Sequence, residues 1–271
     1  MAKQIGDLPH ALDGGLEAEV SGRRPAVFLD YDGTLTPIVD RPEDAVISDE
    51  MREAVRGLAK RCPVCVVSGR DRRVVQELMG VDDLIVAGSH GFDIWSPEGG
   101  GIQRGEGEEF GDLLQSVEAG LRERLGGIEG ALVEPKKSSV AAHYRLVSED
   151  EKPEVGRVVE EILAEHPGEL KVTPGKMVYE VQPNIDWDKG KAVLYLLGTL
   201  GLDGDDVAPI YLGDDVTDEH AFEALANASP KGIGVFVGRA DDPEVAGRTT
   251  SADFVLHTFE EVERFLGTLA R

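Results

Sequence analysis

The sequence predicts an α/β protein with a doubly wound, Rossmann-like parallel-sheet core and an inserted α+β domain. Two observations support this prediction. Short apolar runs such as Ala26-Val-Phe-Leu end abruptly in polar or glycine-rich loops and alternate with helical segments, which is typical of buried parallel strands. That texture stops after residue 108 and returns at residue 184. Between those points the chain has an order of helix, strands, helix and strands.

Three regions follow from this pattern. Residues 25–108 and 184–271 form the predicted core domain, and residues 109–183 form the inserted domain. Residues 1–24 include Gly14-Gly15 and Arg23-Arg24, and we expect them to be a disordered leader.

The charge balance limits the classes of partner. The 271 residues include 28 Lys and Arg against 52 Asp and Glu, which gives a formal net charge of −24. Nucleic acids and anionic membranes bind basic patches, so this balance argues against both. The N-terminus lacks a basic-then-apolar signal pattern, and no apolar run approaches the roughly 20 residues of a membrane-spanning helix. We therefore expect a cytoplasmic monomer whose partner is a small molecule.

The strongest chemical signal is Asp30-Tyr31-Asp32-Gly33-Thr34, directly after the first predicted core strand. In open parallel sheets, ligands bind beyond the carboxyl ends of the strands. Two carboxylates at that edge favour a hard cation such as Mg²⁺, which takes oxygen ligands. A carboxylate can also act as a nucleophile toward phosphorus, and Gly33 allows the backbone to approach a phosphate closely. The alternative is an ordinary acidic turn.

Three further motifs follow predicted strands or begin predicted helices. Asp214 ends another apolar strand, and Asp218 lies four residues later, so one carboxylate could bind metal while the other supports it. The alternative is acidic capping of a helix N-terminus. Ser68, in Ser68-Gly-Arg70, offers a hydroxyl and backbone N–H groups to a phosphoryl oxygen, although such a serine can also be a helix cap. Lys189 opposes the dipole of its helix, which is explained if it neutralises phosphate and carboxylate charge.

Taken in order, these motifs resemble those of the haloacid dehalogenase superfamily of phosphohydrolases. The matching positions are Asp-x-Asp-Gly-Thr at 30–34, Ser68, Lys189 and Gly-Asp-Asp at 213–215. The resemblance implies that Asp30 attacks phosphorus and becomes an aspartyl-phosphate. Asp32 would first protonate the leaving oxygen and then accept a proton from water. Mg²⁺ would be held by Asp30, the backbone carbonyl of Asp32 and Asp214, while Ser68 and Lys189 would stabilise the phosphoryl charge.

The inserted domain resembles the α/β cap that covers the site in one branch of that superfamily and determines specificity. Glu134 and Lys136 share one face of a strand-like segment, Arg145 lies further along it, and Glu180 lies on a later strand. Opposite charges on one face suit a polyhydroxyl ligand, because carboxylates accept hydrogen bonds and basic groups donate them. The alternative is a solvent-facing strand with salt bridges.

From about Ala26 to near the C-terminus, the chain resembles the trehalose-6-phosphate phosphatase family. The strings that carry this resemblance include Gly88-Ser-His-Gly and Asp188-Lys-Gly-Lys-Ala. It implies hydrolysis of trehalose 6-phosphate to trehalose and phosphate, with the sugar phosphate contacted by Asp32, Arg70, Glu134, Lys136, Arg145 and Glu180. Two alternatives stay open: a phosphatase for sucrose-, glucosylglycerol- or mannosylglycerate-type phosphates, and a catalytically silent sugar-phosphate sensor. The exact roles of His90 and Asp218 are also left open.

Overall fold

The computed structural model describes residues 2–97, 100–103 and 110–270. Its strands, in chain order, are β1 (Lys3–Gln4), β2 (Arg24–Leu29), β3 (Val64–Val67), β4 (Ile85–Gly88), β5 (Asp93–Ser96), β6 (Gly100–Gln103), β7 (Leu132–Pro135), β8 (Val140–His143), β9 (Leu170–Gly175), β10 (Val178–Pro183), β11 (Val207–Gly213), β12 (Ile233–Val237), β13 (Thr249–Thr250) and β14 (Phe254–Leu256). Its α-helices are α1 (Gly15–Val20), α2 (Asp49–Ala59), α3 (Arg72–Met79), α4 (Gly111–Leu125), α5 (Lys152–Glu165), α6 (Lys189–Thr199), α7 (Val216–Asn227) and α8 (Phe259–Leu269).

The chain forms two compact units. One contains the described residues up to Ile102 and from Trp187 onward, and the other contains those from Gln103 to Asp186. The boundary that the sequence suggested at residues 108 and 109 lies outside the described residues. The second boundary was suggested between residues 183 and 184, and the units divide between Asp186 and Trp187.

The first unit is built on an eight-stranded sheet in the order β14-β12-β11-β2-β3-β4-β5-β6. The strands from β14 to β4 are parallel, and β5 is antiparallel to β4. Alternate residues along the strands belong to two separate hydrophobic cores, one on each face of the sheet. Val27 and Leu29 of β2 pack with α2, α3 and α8, whereas Ala26 and Phe28 pack with α6 and α7. The predicted doubly wound parallel sheet is thereby confirmed.

Side-chain caps begin α2, α6, α7 and α8 of the first unit. The Ser48 side chain accepts a hydrogen bond from the Met51 backbone N–H at 3.1 Å and begins α2. Asp215 begins α7 in a capping box. Its side chain accepts a hydrogen bond from the Asp218 backbone N–H, and the Asp218 side chain accepts one from the Asp215 backbone N–H. These caps set the positions at which both helices leave the carboxyl edge of the sheet.

The N-terminal segment corrects one prediction. We expected residues 1–24 to be disordered, but residues 2–24 are ordered and contribute to the core. Ile5, Leu8, Ala11 and Leu16 are all buried. The segment is also held by backbone hydrogen bonds, since β1 pairs with β13 and the Ala11 N–H donates to a β14 carbonyl. Burial of these apolar side chains offsets the entropy of ordering the segment.

The second unit is a four-stranded antiparallel sheet in the order β7-β8-β10-β9, with α4 and α5 packed on one face. The helices bury Val117, Leu121, Val155 and Ile162 against it. Because side chains alternate along a strand, the neighbours of the buried strand residues lie on the opposite face. In the part of the chain that the structure describes, no helix has the length and apolar character needed to span a membrane.

Candidate active site

Three loops follow neighbouring strands of the first unit at one edge of its sheet. Leu29 of β2 pairs with Leu212 of β11 on one side and with Val66 of β3 on the other. This row of paired residues is followed by Asp30 after one residue and by Asp214 and Ser68 after two. The three side chains therefore lie at the same edge of the sheet, as the sequence predicted for a parallel sheet.

Lys189, in the first turn of α6, reaches this edge. Its Nζ donates to Asp30 Oδ1 at 2.8 Å and to Asp218 Oδ1 at 2.7 Å, and all three side chains are buried. Burial alone would lower the pKa of Lys189, but the charges of Asp218 and Asp30 hold that pKa well above its usual range. Lys189 is therefore a fixed positive charge beside the proposed nucleophile.

The same edge holds a cluster of carboxylates. Asp30, Asp214 and Asp218 are all buried and each has an oxygen within 4.8 Å of the others. Burial, followed by repulsion from Asp218, raises the pKa of Asp30 well above its ordinary value, although Lys189 opposes this. Three carboxylates against one ammonium leave a formal excess of two negative charges. Oxygen donors with that excess fit a hard divalent cation such as Mg²⁺.

Gly33 brings the first loop against Asp214. Its φ is +80°, a conformation that side chains rarely adopt, and a Cβ at this position would overlap all three atoms of the Asp214 carboxyl group. The farthest of these atoms, Oδ1, would be 2.7 Å from that Cβ. Only glycine therefore leaves room for the Asp214 carboxylate beside the backbone that follows Asp32.

Arg70 holds the carboxylate of Asp32. Its Nε and Nη2 donate to the two Asp32 oxygens, each at 2.7 Å, and its Nη1 donates to the Pro42 carbonyl at 2.7 Å. Such a bidentate pair fixes the plane of the carboxylate. The Asp32 side chain is 37% exposed, which leaves it accessible for proton transfer. Substrate binding by Arg70 stays a prediction, and its contact with Asp32 was not predicted.

The loop after β3 is held by backbone contacts. Ser68 is buried, and its Oγ accepts from the Arg70 N–H at 3.1 Å. The backbone N–H groups of His90 and Ser89 donate to the carbonyls of Ser68 at 2.8 Å and Arg70 at 2.7 Å. Ser89 and His90 both have positive φ, so the segment that donates these two hydrogen bonds has an unusual backbone conformation.

The second unit has a polar cluster on its sheet. The Ser139 hydroxyl donates to Glu180 Oε1 at 2.6 Å, and Lys136 Nζ donates to the same oxygen at 3.3 Å. Glu134 lies two strands from Glu180 in the same row, since both are paired with Ala141, and its Oε2 is 2.8 Å from His143 Nε2. The structure thus brings together Lys136 and Glu180, with Glu134 on the same face. Arg145 follows β8 and donates to the Lys176 carbonyl at 3.2 Å.

Comparison with known proteins identifies the family. The trehalose-phosphatase family model matches residues 28–255. A trehalose-phosphate phosphatase of Mycobacterium tuberculosis strain H37Rv is 40% identical over 271 residues, which is 99% of this chain and 67% of that protein. The chain belongs to the trehalose-phosphatase family.

Two further comparisons agree, one with the family and one with the fold. A trehalose 6-phosphate phosphatase of Zea mays is 41% identical over 94% of this chain and 72% of that protein. The C-terminal domain of the C. albicans trehalose-6-phosphate phosphatase has the same fold, with a TM-score of 0.81 at 23% identity over 97% of this chain and 98% of that one. The predicted fold and enzyme class, a phosphoric monoester hydrolase, are confirmed.

Two residues of this trehalose-phosphatase site were missed or left open by the sequence analysis. Asp218 was a candidate metal supporter with no definite role, and its carboxylate contacts Lys189 directly. Tyr211 was not singled out at all, yet its hydroxyl donates to Asp218 Oδ1 at 2.6 Å. One signal was present: a tyrosine within an apolar strand needs a partner for its hydroxyl when it is buried.

Proposed function

We propose that the chain hydrolyses trehalose 6-phosphate to trehalose and phosphate through an aspartyl-phosphate on Asp30, with Mg²⁺ as its cofactor. The observation that carries this proposal is the buried Asp30 carboxylate, held by Lys189 at the carboxyl edge of the sheet beside Asp214. The substrate itself is inferred from the family and from the names of its members.

In the first step, an Asp30 oxygen attacks phosphorus as the bond between phosphorus and the sugar O6 breaks. Asp32 donates a proton to O6, so that trehalose leaves as an alcohol. Lys189 and Ser68 stabilise the charge of the transferring phosphoryl group, with Lys189 already fixed by its two carboxylate partners.

In the second step, Asp32 accepts a proton from water, and the water oxygen attacks phosphorus. The bond between Asp30 and phosphorus breaks, which releases phosphate and restores the Asp30 carboxylate. Asp30, the Asp32 carbonyl and Asp214 are the groups that would hold Mg²⁺. When bound, the ion would offset the excess carboxylate charge and the charge of the phosphoryl group.

The polar cluster of the second unit supports a polyhydroxyl substrate. We assign Glu134, Lys136, Arg145 and Glu180 to the glucose hydroxyls. Among them, Glu134, Lys136 and Glu180 share one sheet face, where acceptor and donor side chains of opposite charge suit a polyhydroxyl ligand. The cytoplasmic location and the monomeric state stay predictions from the sequence.

The decisive test is phosphate release from a panel of sugar phosphates, with and without Mg²⁺. The panel includes trehalose 6-phosphate and the sucrose, glucosylglycerol and mannosylglycerate phosphates. We expect clear preference for trehalose 6-phosphate and loss of activity after chelation. A preference for another member would contradict the specificity, and no turnover of any member would favour a silent sensor.

Matched variants test the assignments. Asp30→Asn should lose at least about 10³-fold in kcat while its thermal unfolding stays cooperative, because the nucleophile is removed. Lys189→Met should be severely impaired, whereas Lys191→Met, in the same helical turn, should retain activity. Retained activity in Asp30→Asn would show that another group is the nucleophile.

A further inference from the structure

Tyr211 is a buried polar residue at the centre of the sheet that the proposed mechanism does not use. It lies on β11, two residues before Gly213, and its side chain is fully buried. Its ring packs edge-to-face on Phe222 at 5.7 Å, and its hydroxyl donates to Asp218. Burial, followed by the charge of Asp218, raises the pKa of Tyr211 well above its ordinary value, so its hydroxyl is a neutral donor.

The carboxylate of Asp218 has a donor for each of its acceptor positions. Oδ1 accepts from Tyr211 at 2.6 Å and from Lys189 at 2.7 Å. Oδ2 accepts from the backbone N–H groups of Asp214 at 3.0 Å and Asp215 at 2.9 Å. An ionised carboxylate has about four acceptor positions, and these four bonds occupy them. Asp218 therefore links the Lys189 ammonium to the Asp214 loop, and within the cluster of three carboxylates its main contribution is to hold these two groups in place.

We propose that Tyr211 is a positioning residue for catalysis, whose hydroxyl orients Asp218 so that Asp218 holds Lys189 against Asp30. This inference rests on the proposed function of the site. The aromatic ring alone would fill the same space, so the hydroxyl is the part of Tyr211 that bears on catalysis.

The physical reason is that the Tyr211 hydroxyl and the Lys189 ammonium donate to the same oxygen, Asp218 Oδ1. Without the hydroxyl, Asp218 Oδ1 keeps only Lys189, and the carboxylate loses a bond that fixes its rotation. The two N–H bonds to Oδ2 stay, so the Asp214 loop keeps its position. The loss therefore falls on the placement of the Lys189 ammonium, which acts in the transition state. The expected signature is a lower kcat with little change in KM or in Mg²⁺ affinity.

The experiment compares Tyr211→Phe with Phe222→Leu. The first variant removes the hydroxyl and keeps the ring. The second disturbs the packing of the same ring and keeps the hydroxyl. For both we would measure kcat and KM on trehalose 6-phosphate and on p-nitrophenyl phosphate, thermal unfolding, and calorimetric binding of Mg²⁺ alone.

We expect kcat of Tyr211→Phe to fall roughly tenfold or more on both substrates, as for loss of a hydrogen bond to a charged group. KM and the Mg²⁺ dissociation constant should stay within about twofold, whereas Asp214→Asn should lose most Mg²⁺ binding. Phe222→Leu should unfold at a lower temperature but keep kcat within about threefold.

A double-mutant cycle separates positioning from general destabilisation. In the Lys189→Met background, Tyr211→Phe should add little further loss to single-turnover phosphate release, because the group that it positions is gone. Fully additive losses would overturn the inference. So would an unchanged kcat in Tyr211→Phe, or a loss of Mg²⁺ affinity equal to that of Asp214→Asn.

Failure of the proposed function has a different signature. If the unmodified enzyme hydrolyses p-nitrophenyl phosphate but not trehalose 6-phosphate, the substrate assignment is wrong and the Tyr211 comparison still decides the inference on the small ester. An unmodified enzyme that is inactive on both compounds would overturn both proposals.

Discussion

Replacement of Gly33 by alanine tests whether the packing of two loops builds the proposed cation site. In the structure the backbone at Gly33 has φ +80°, and the Asp214 carboxyl group fills the space in which a side chain would begin. The added Cβ would be 2.7 Å from Oδ1 and still closer to the other two carboxyl atoms. Ordinary contact begins near 3.5 Å, so the carboxylate has to move by about 1 Å or more.

The size of the effect follows from that displacement. A catalytic group moved by about 1 Å can lower the rate by roughly 100-fold, and we expect at least that loss in kcat/KM for Gly33→Ala. Gly247→Ala is the matched control, because Gly247 also has φ +80° but a Cβ there would meet no atom within 4 Å. The left-handed backbone should cost both variants a similar roughly 1–2 kcal/mol of stability.

The assays are phosphate release across a Mg²⁺ titration and thermal unfolding. Both variants should unfold at somewhat lower temperatures, but only Gly33→Ala should need much more Mg²⁺ and lose activity. If Gly33→Ala kept Mg²⁺ affinity and activity within about threefold, Asp214 would not be held at the cation site by this contact. If Gly247→Ala lost activity equally, backbone strain would be the cause.

Two further predictions concern other parts of the chain. Ser139→Ala should raise KM for trehalose 6-phosphate about fivefold or more while p-nitrophenyl phosphate is turned over as before, because the variant removes one of the hydrogen bonds that orient Glu180. Equal losses on both compounds would contradict this prediction. Partial burial would raise the pKa of Glu261, but the His257 N–H and His10 outweigh it, and the pKa is lowered in the folded state. A lowered pKa means that the ionised Glu261 carboxylate stabilises the folded state. This stabilisation is fully present above the unfolded pKa of about 4.3 and is lost as pH falls through the folded pKa. Urea unfolding of Glu261→Gln should therefore show a deficit, below about 1 kcal/mol, at pH 7 that shrinks at pH 3, and a constant deficit would refute it.

The positions of the main site residues could be predicted because they follow from sheet topology. Asp30, Ser68 and Asp214 each end an apolar strand, and parallel strands bring their carboxyl ends to one edge. Lys189 was identifiable because a lysine in a first helical turn needs a reason to be there. For these residues, a local pattern and one rule of topology were sufficient.

The partners of these residues could not be predicted, because they depend on side-chain directions across the fold. Arg70 and Asp32 are 38 positions apart in the sequence, and nothing in either loop indicates a bidentate pair. Tyr211 looked like part of an apolar strand, and its contact with Asp218 exists only after α7 is placed on β11. Each of these contacts joins residues from separate elements.

The N-terminal segment was misjudged for a related reason. The four buried residues do not alternate as in a strand, and Gly6, Pro9 and Gly14-Gly15 interrupt the segment where a helix would have to run. Each of them is buried individually against the rest of the first unit, and this burial depends on tertiary packing rather than on a local pattern. A periodic pattern is needed for recognition from sequence, but burial does not require one.

This segment also affects how the protein can be shortened or fused to other proteins. A chain that began at Arg24 would still contain every residue of the proposed chemistry, and a motif-based choice of start would favour it. It would, however, leave Phe254 and Val255 of the edge strand β14 without the residues that cover them, because Gly15 lies against Phe254 and the Ala11 N–H donates a hydrogen bond to the Val255 carbonyl. Exposed apolar surface and an unpaired strand edge promote aggregation. Residues 2–23 are thus an integral part of the folded enzyme rather than a dispensable extension.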